Sequence, residues 1–123
     1  MRGNYYFKAK CLSDGHWVTG SYWHRSDGDY ILAGECRFSI DPKTVCQFTG
    51  MKDRRGNMIF ENDILLEHFS NIPLIIKWYT NRFFVNKKGD TTLMHMNLDE
   101  KQDEYEVIGN KFDVPEGTFG PKW

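Results

Sequence analysis

A chain of 123 residues, with 40% apolar and 27% charged side chains, is long enough to bury a core without metal or disulfide staples and too polar for a membrane bundle. Sixteen basic residues against seventeen acidic ones leave a formal charge of −1, so no overall attraction draws the chain to a polyanion. Aromatic residues reach 15%, and because rings pack well on a pleated surface and lose rotamer freedom in a helix, this share favours strands.

Residues 4–12, Asn-Tyr-Tyr-Phe-Lys-Ala-Lys-Cys-Leu, alternate imperfectly and stop at Ser13-Asp14-Gly15. Strand-forming residues resume from Trp17 to Trp23, which predicts a hairpin. A second turn at Ser26-Asp27-Gly28-Asp29 leads into Tyr30-Ile31-Leu32-Ala33, so the first forty or so residues read as a meander with short Asp-Gly turns. Pro42 after Asp41 suits a single helical turn. Gln47 to Gly50 reads as strand, and Lys52 to Asn57 as a polar turn with Gly56 at its apex. From Met58 to Leu66 simple alternation fails, and a bend or bulge near Asn62 restores it by bringing Ile64 back in line with Ile59.

Ile72 to Tyr79 is the most apolar stretch, and Thr80-Asn81 separates it from Arg82-Phe83-Phe84-Val85, as in a tight hairpin. Residues 91–104 fit a short helix or a solvated loop equally well. Tyr105-Glu106-Val107-Ile108 reads as a last strand closed by Gly109-Asn110, and residues 111–123 as a Pro/Gly-rich tail. Short strands at intervals of roughly ten residues predict a mainly β fold, a small antiparallel barrel or pseudo-barrel with one or two short helices. One β domain over residues 1–110 is expected, with a meander at 1–46 and the core at 47–110.

The chemistry-bearing residues are sparse. Cys11, Cys36 and Cys46 are odd in number and irregularly spaced, and His16, His24, His68 and His95 show no paired-ligand spacing, so reduced thiols, no metal and no cofactor are expected. No run approaches the roughly 18 apolar residues of a membrane helix, and Met1-Arg2-Gly3-Asn4 opens no signal peptide, which predicts a cytoplasmic protein without membrane contact. Trp17 and Trp23 fall on one face of their strand and, with Trp78, are expected in a core or an interface.

The segment Thr49-Gly50-Met51-Lys52-Asp53-Arg54-Arg55-Gly56-Asn57-Met58-Ile59-Phe60-Glu61-Asn62-Asp63-Ile64 resembles the signature of YopX-like proteins, T-G-L-x-D-x-x-G-x-x-I-Y/F-E-G-D-I. Its flanks agree in order: Trp17-Val18-Thr19-Gly20-Ser21-Tyr22, Ile40-Asp41-Pro42-Lys43-Thr44-Val45 and Tyr105-Glu106-Val107-Ile108-Gly109-Asn110 are similar to the family's early strand, its approach and its closing E-V-I-G-N. The resemblance implies a mainly β pseudo-barrel encoded by phages and prophages, and it carries over no catalytic residue. Met51 stands where the family usually has Leu, a volume-conserving swap, and Asn62 where it usually has Gly. Asn is the non-Gly residue that best tolerates positive φ, so the second departure fits a left-handed bend.

Within the signature, Thr49, Gly50, Asp53, Gly56, Ile59, Glu61 and Asp63 read as structural, because a turn and a bend already call for these residue types. Asp53, Glu61 and Asp63 would otherwise form an acid/base or cation site of a metal-assisted hydrolase. Lys52, Arg54 and Arg55 are candidate interaction residues for phosphate or a carboxylate partner. Trp123, ending the tail, is a candidate for docking onto a neighbouring chain. The reading favoured by this pattern is a non-enzymatic accessory protein that binds itself or a phage or host protein. The alternatives are a nucleic-acid-binding accessory protein, which the balanced charge disfavours, and the hydrolase.

Overall fold

The computed structural model describes residues 6–67, 73–79, 82–87, 93–95 and 105–114. The chain divides into two compact units, residues 1–50 and 51–123. It is mainly β, in two antiparallel sheets, and among the described residues the only helices are short 3-10 turns. Among the described residues neither strand order is cyclic, so no sheet closes on itself, an arrangement compatible with a pseudo-barrel.

In the first unit, β1 (Phe7–Lys10), β2 (Trp17–Arg25), β3 (Gly28–Ala33), β4 (Cys36–Ser39) and β5 (Cys46–Lys52) lie in the order β4-β3-β2-β1-β5. Strand alternation sends one set of side chains inward. Ala9, Ile31 and Ile40 are buried, with Phe7, Val18, Tyr22, Phe38 and Val45 packed against them. Full burial of an aliphatic side chain contributes roughly 1.5–3 kcal/mol, so this cluster is the main cohesive term of the unit. β2 is shared: its first half pairs with β1 (Lys10↔Trp17) and its second half with β3 (Trp23↔Tyr30). Gly20 marks the change of partner, where a Cβ would lie 2.1 Å from the Leu32 carbonyl oxygen, so only glycine admits the close approach.

The turn between β2 and β3 is Ser26-Asp27, and that between β3 and β4 is Gly34-Glu35, with Gly34 at φ 61°. Pro42–Thr44 forms the expected helical turn as a 3-10 turn, its N-terminus capped by Asp41, which accepts from Lys43 N–H at 3.0 Å. All three cysteines are free thiols.

In the second unit, a turn closed by Asp53 N–H donating to the Asn57 carbonyl at 2.8 Å leads into β6 (Met58–Phe60). The other strands, β7 (Asp63–Glu67), β8 (Pro73–Tyr79), β9 (Arg82–Lys87), β10 (Leu93–His95) and β11 (Tyr105–Asn110), order as β10-β9-β8-β7-β11. Ile59, Leu65, Leu74, Ile76 and Tyr105 form the core, with Met51 and Val107 against it. Residues 93–95 are strand rather than the helix or loop expected there; backbone pairing of Leu93 with Asn86 decides the conformation where side-chain periodicity was mixed. The Thr80-Asn81 turn, the rest of residues 91–104 and Trp123 lie outside the described residues.

Candidate functional site

The signature turn is organised by one carboxylate. Asp53 is 2% exposed. Its Oδ1 accepts from the backbone N–H groups of Arg55 at 2.9 Å and Asn57 at 2.8 Å. Its Oδ2 accepts from Val107 N–H at 2.8 Å and from the Asn57 side-chain amide at 3.2 Å. Burial pushes the Asp53 carboxyl up, but the N–H bonds from Val107, Asn57 and Arg55 and the Asn57 amide outweigh it, and the net direction is down. Gly56 takes φ 84° and donates its N–H to the Asp53 carbonyl, closing the loop.

The bend follows six residues after Gly56. Asn62 has φ 68°, the only non-glycine among the described residues at positive φ. Its N–H donates to the Ile76 carbonyl at 2.8 Å, and its own carbonyl accepts from Lys111 N–H at 2.9 Å. Asp63, fully buried, accepts from Phe60 N–H at 2.8 Å and from the Asn110 side-chain amide at 2.9 Å. Asn110 is itself 2% exposed and caps the following 3-10 turn through Phe112 N–H.

These bonds connect two sequence-distant segments. Asp53 reaches Val107 and Asp63 reaches Asn110, so the two carboxylates tie the signature to the middle and to the last residue of β11. Arg54 N–H adds a bond to the Tyr105 carbonyl at 3.0 Å, and Arg55 Nε sits 3.2 Å from Glu106 Oε2. Between Val107 and Gly109 the pairing with β7 shifts register, and Gly109 has open space where a Cβ would stand. A carboxylate saturated by fixed N–H donors is held ionised and turned away from solvent, which is the opposite of a proton-transfer group poised near neutrality.

The remaining signature residues are placed as follows. Thr49 is half-buried on β5, and Gly50 sits exposed at φ 88°. Ile59 is in the core, and Glu61 is half-buried in the bend, where its charge opposes the effect of burial and of Lys111 on the Lys77 ammonium, whose net direction is down. Lys52, Arg54 and Arg55 are exposed, and Arg55 is already engaged by Glu106. Among the described residues, no three His, Cys, Asp or Glu side chains gather as a metal site requires.

The first unit holds two constellations that the sequence did not single out. On the inner side of the β2–β3 hairpin, the Asp29 carboxylate accepts from Tyr22 Oη at 2.5 Å and lies 2.6 Å from His24 Nδ1. The Asp29 bond, then burial, push the Tyr22 hydroxyl up to about 12. The Tyr22 and His24 bonds hold Asp29 low. On the outer side, Trp23 and Tyr30 stand opposite each other with ring centroids 5.8 Å apart. The Arg25 guanidinium lies 4.7 Å from the Trp23 ring and the Arg37 guanidinium 5.0 Å from the Tyr30 ring. Along the same face, the ammonium groups of Lys8 and Lys10 lie 4.7 and 5.4 Å from the Trp17 ring. Trp17 and Trp23 thus share a face, as their spacing requires, but it is the face opposite the buried cluster.

Two antiparallel sheets, with one turn-and-bend segment tied to β11 by buried carboxylates, define a small, mainly β protein. The family model described as YopX protein matches residues 8–117, and the chain belongs to that family. No curated protein matches it.

Proposed function

We propose that this chain is a phage-type, cytoplasmic accessory protein that acts by binding rather than by catalysis, and that its working surface is the outward face of β1–β4. One observation carries the reading. Asp53 and Asp63 of the signature face inward onto fixed N–H donors, while the rings and guanidiniums of β2–β4 face outward, where a partner can reach them. Self-association through the edge of β4 finds less support, because this outer strand is four residues long and carries exposed Arg37, and both features oppose edge-to-edge pairing. Light scattering at tens of micromolar reads that possibility directly.

The test is retention from a bacterial lysate on the immobilised chain, with two charge-reversed variants. Material held by the unmodified chain should be lost with Arg25→Glu/Arg37→Glu and kept with Lys52→Glu/Arg54→Glu. The reverse pattern would place the working surface on the signature loop and overturn the reading.

A further inference from the structure

Resting on that reading, we propose that the outward face of the first unit binds single-stranded nucleic acid, with Trp23 and Tyr30 stacking on bases and Arg25 and Arg37 taking phosphates. The four side chains form one continuous ladder in the order Arg25, Trp23, Tyr30, Arg37. Cross-strand pairing fixes it. Trp23 is directly opposite Tyr30, Tyr30 opposite Ser39, and Arg37 two residues before Ser39, so all lie on the same side of the sheet.

The ligand class follows from charge and shape together. Of the acidic residues between 6 and 50, Asp14, Asp27 and Glu35 are in turns, Asp41 caps the 3-10 turn, and Asp29 is bonded on the inner side. No carboxylate therefore occupies a strand position on the outward face, although the chain as a whole is close to neutral. Among the described residues, the acidic side chain paired with the ladder is Asp27, 3.4 Å from Arg25 Nε in an exposed pair that screening weakens. A face with cations at both ends and rings between them matches a polyanion that also carries flat apolar groups. A guanidinium resting on a ring can move to a phosphate while a base takes its place on the ring. An acidic peptide or polyphosphate would satisfy the arginines and gain nothing from the rings. A duplex keeps its bases stacked internally and offers none to a sheet.

Fluorescence anisotropy of the full chain tests this with labelled oligothymidylate and oligouridylate of about 12 nucleotides, within the span one small β module covers. A duplex of the same length, inorganic polyphosphate and an oligoglutamate peptide serve as competitors. Salt-dependent binding of a single strand with quenching of tryptophan emission is expected, and the DNA and RNA arms show whether the 2′-hydroxyl matters. Arg25→Gln/Arg37→Gln should weaken binding more than about ten-fold and lower the log–log salt slope by about 0.7 per arginine. Trp23→Ala/Tyr30→Ala should weaken it about 30-fold or more with the slope unchanged. Trp23→Phe, which keeps a ring, should retain most of the affinity and stands in if the alanine pair fails to fold.

Three outcomes overturn the inference: neither single strand binds, duplex or polyphosphate competes as well as the oligonucleotides, or the ladder variants bind like the unmodified chain. If oligonucleotides fail while lysate retention still depends on Arg25 and Arg37, the ligand class falls and the binding face stands. If that retention is also insensitive to the two arginines, both fall.

Discussion

The signature loop and the outward face of the first sheet use charge in opposite ways. Asp53 and Asp63 are buried and enclosed by N–H donors from the backbone and from Asn57 and Asn110. Arg25 and Arg37 are exposed and lie on the faces of aromatic rings. A buried carboxylate must be paid for with hydrogen bonds at once, so its surroundings become fixed and its removal is felt by the whole unit. An exposed cation on a ring owes the fold little and stays available to a ligand. The distinctive segment of the sequence therefore holds the buried, hydrogen-bonded carboxylates, and the plainer meander holds the exposed guanidiniums on rings.

The strongest way to break this contrast is at Asp63. Asp63→Ala should destabilise the chain by about 3 kcal/mol, because Phe60 N–H and the Asn110 amide are left buried without their acceptor. Chemical denaturation followed by circular dichroism measures it. The matching change on the face, Arg37→Gln, should stay within about 0.5 kcal/mol of the parent. A stability loss at Arg37 comparable to that at Asp63 would erase the distinction.

Asp53→Asn should cost about 2 kcal/mol, since an amide keeps the shape but offers N–H where N–H donors already point. The pH dependence sharpens the test. Asp53 has a folded pKa below its unfolded value, so its contribution is complete above the ordinary carboxylate range and is lost as pH falls through the folded value. Acid denaturation of Asp53→Asn should start from a lower plateau and show a shallower limb below about pH 4.

A smaller effect belongs to the first unit. Tyr22→Phe removes a neutral donor to Asp29 and should cost about 1 kcal/mol near neutral pH. With its hydroxyl raised to about 12, Tyr22 stabilises the fold below the unfolded value and loses that contribution as pH rises through the folded one. The parent should therefore lose stability between roughly pH 10 and about 12, and the phenylalanine variant should lose less there. Absorbance titration of tyrosinate tracks the group itself.

How much of this could be read beforehand depended on the range of the interaction involved. Asp-Gly and Ser-Asp turns, the bend at Asn62 and the capped turn at Pro42 are local, and local residue preferences state them. The tie from Asp53 to Val107 spans 54 positions, and that from Asp63 to Asn110 spans 47, so neither residue type nor spacing announces its partner. The ladder was closer to legible. Placing the turn at Ser26-Asp27 fixes Trp23 opposite Tyr30 and His24 opposite Asp29, but a turn one residue longer or shorter would put the members of each pair on opposite faces. The Gly34-Glu35 turn, which brings Arg37 onto Tyr30, lacked the Asp-Gly pattern that marked its neighbours.

The least costly change asks whether the bend is set by backbone conformation or by the asparagine side chain. At φ 68° a glycine relieves the steric penalty of a left-handed residue but adds freedom to the unfolded chain, and the two nearly offset. Asn62→Gly should therefore leave stability within about 0.5 kcal/mol of the parent. Asn62→Ala keeps the Cβ penalty without a polar side chain to support the conformation and should cost about 1 kcal/mol, and Asn62→Val more, because branching at Cβ tolerates this region least. The Asn62 main chain still bonds Ile76 and Lys111 in all three variants, so the series isolates conformation from hydrogen bonding. Equal losses for glycine and alanine would show that the asparagine side chain, not the left-handed backbone, holds the two strands at their angle.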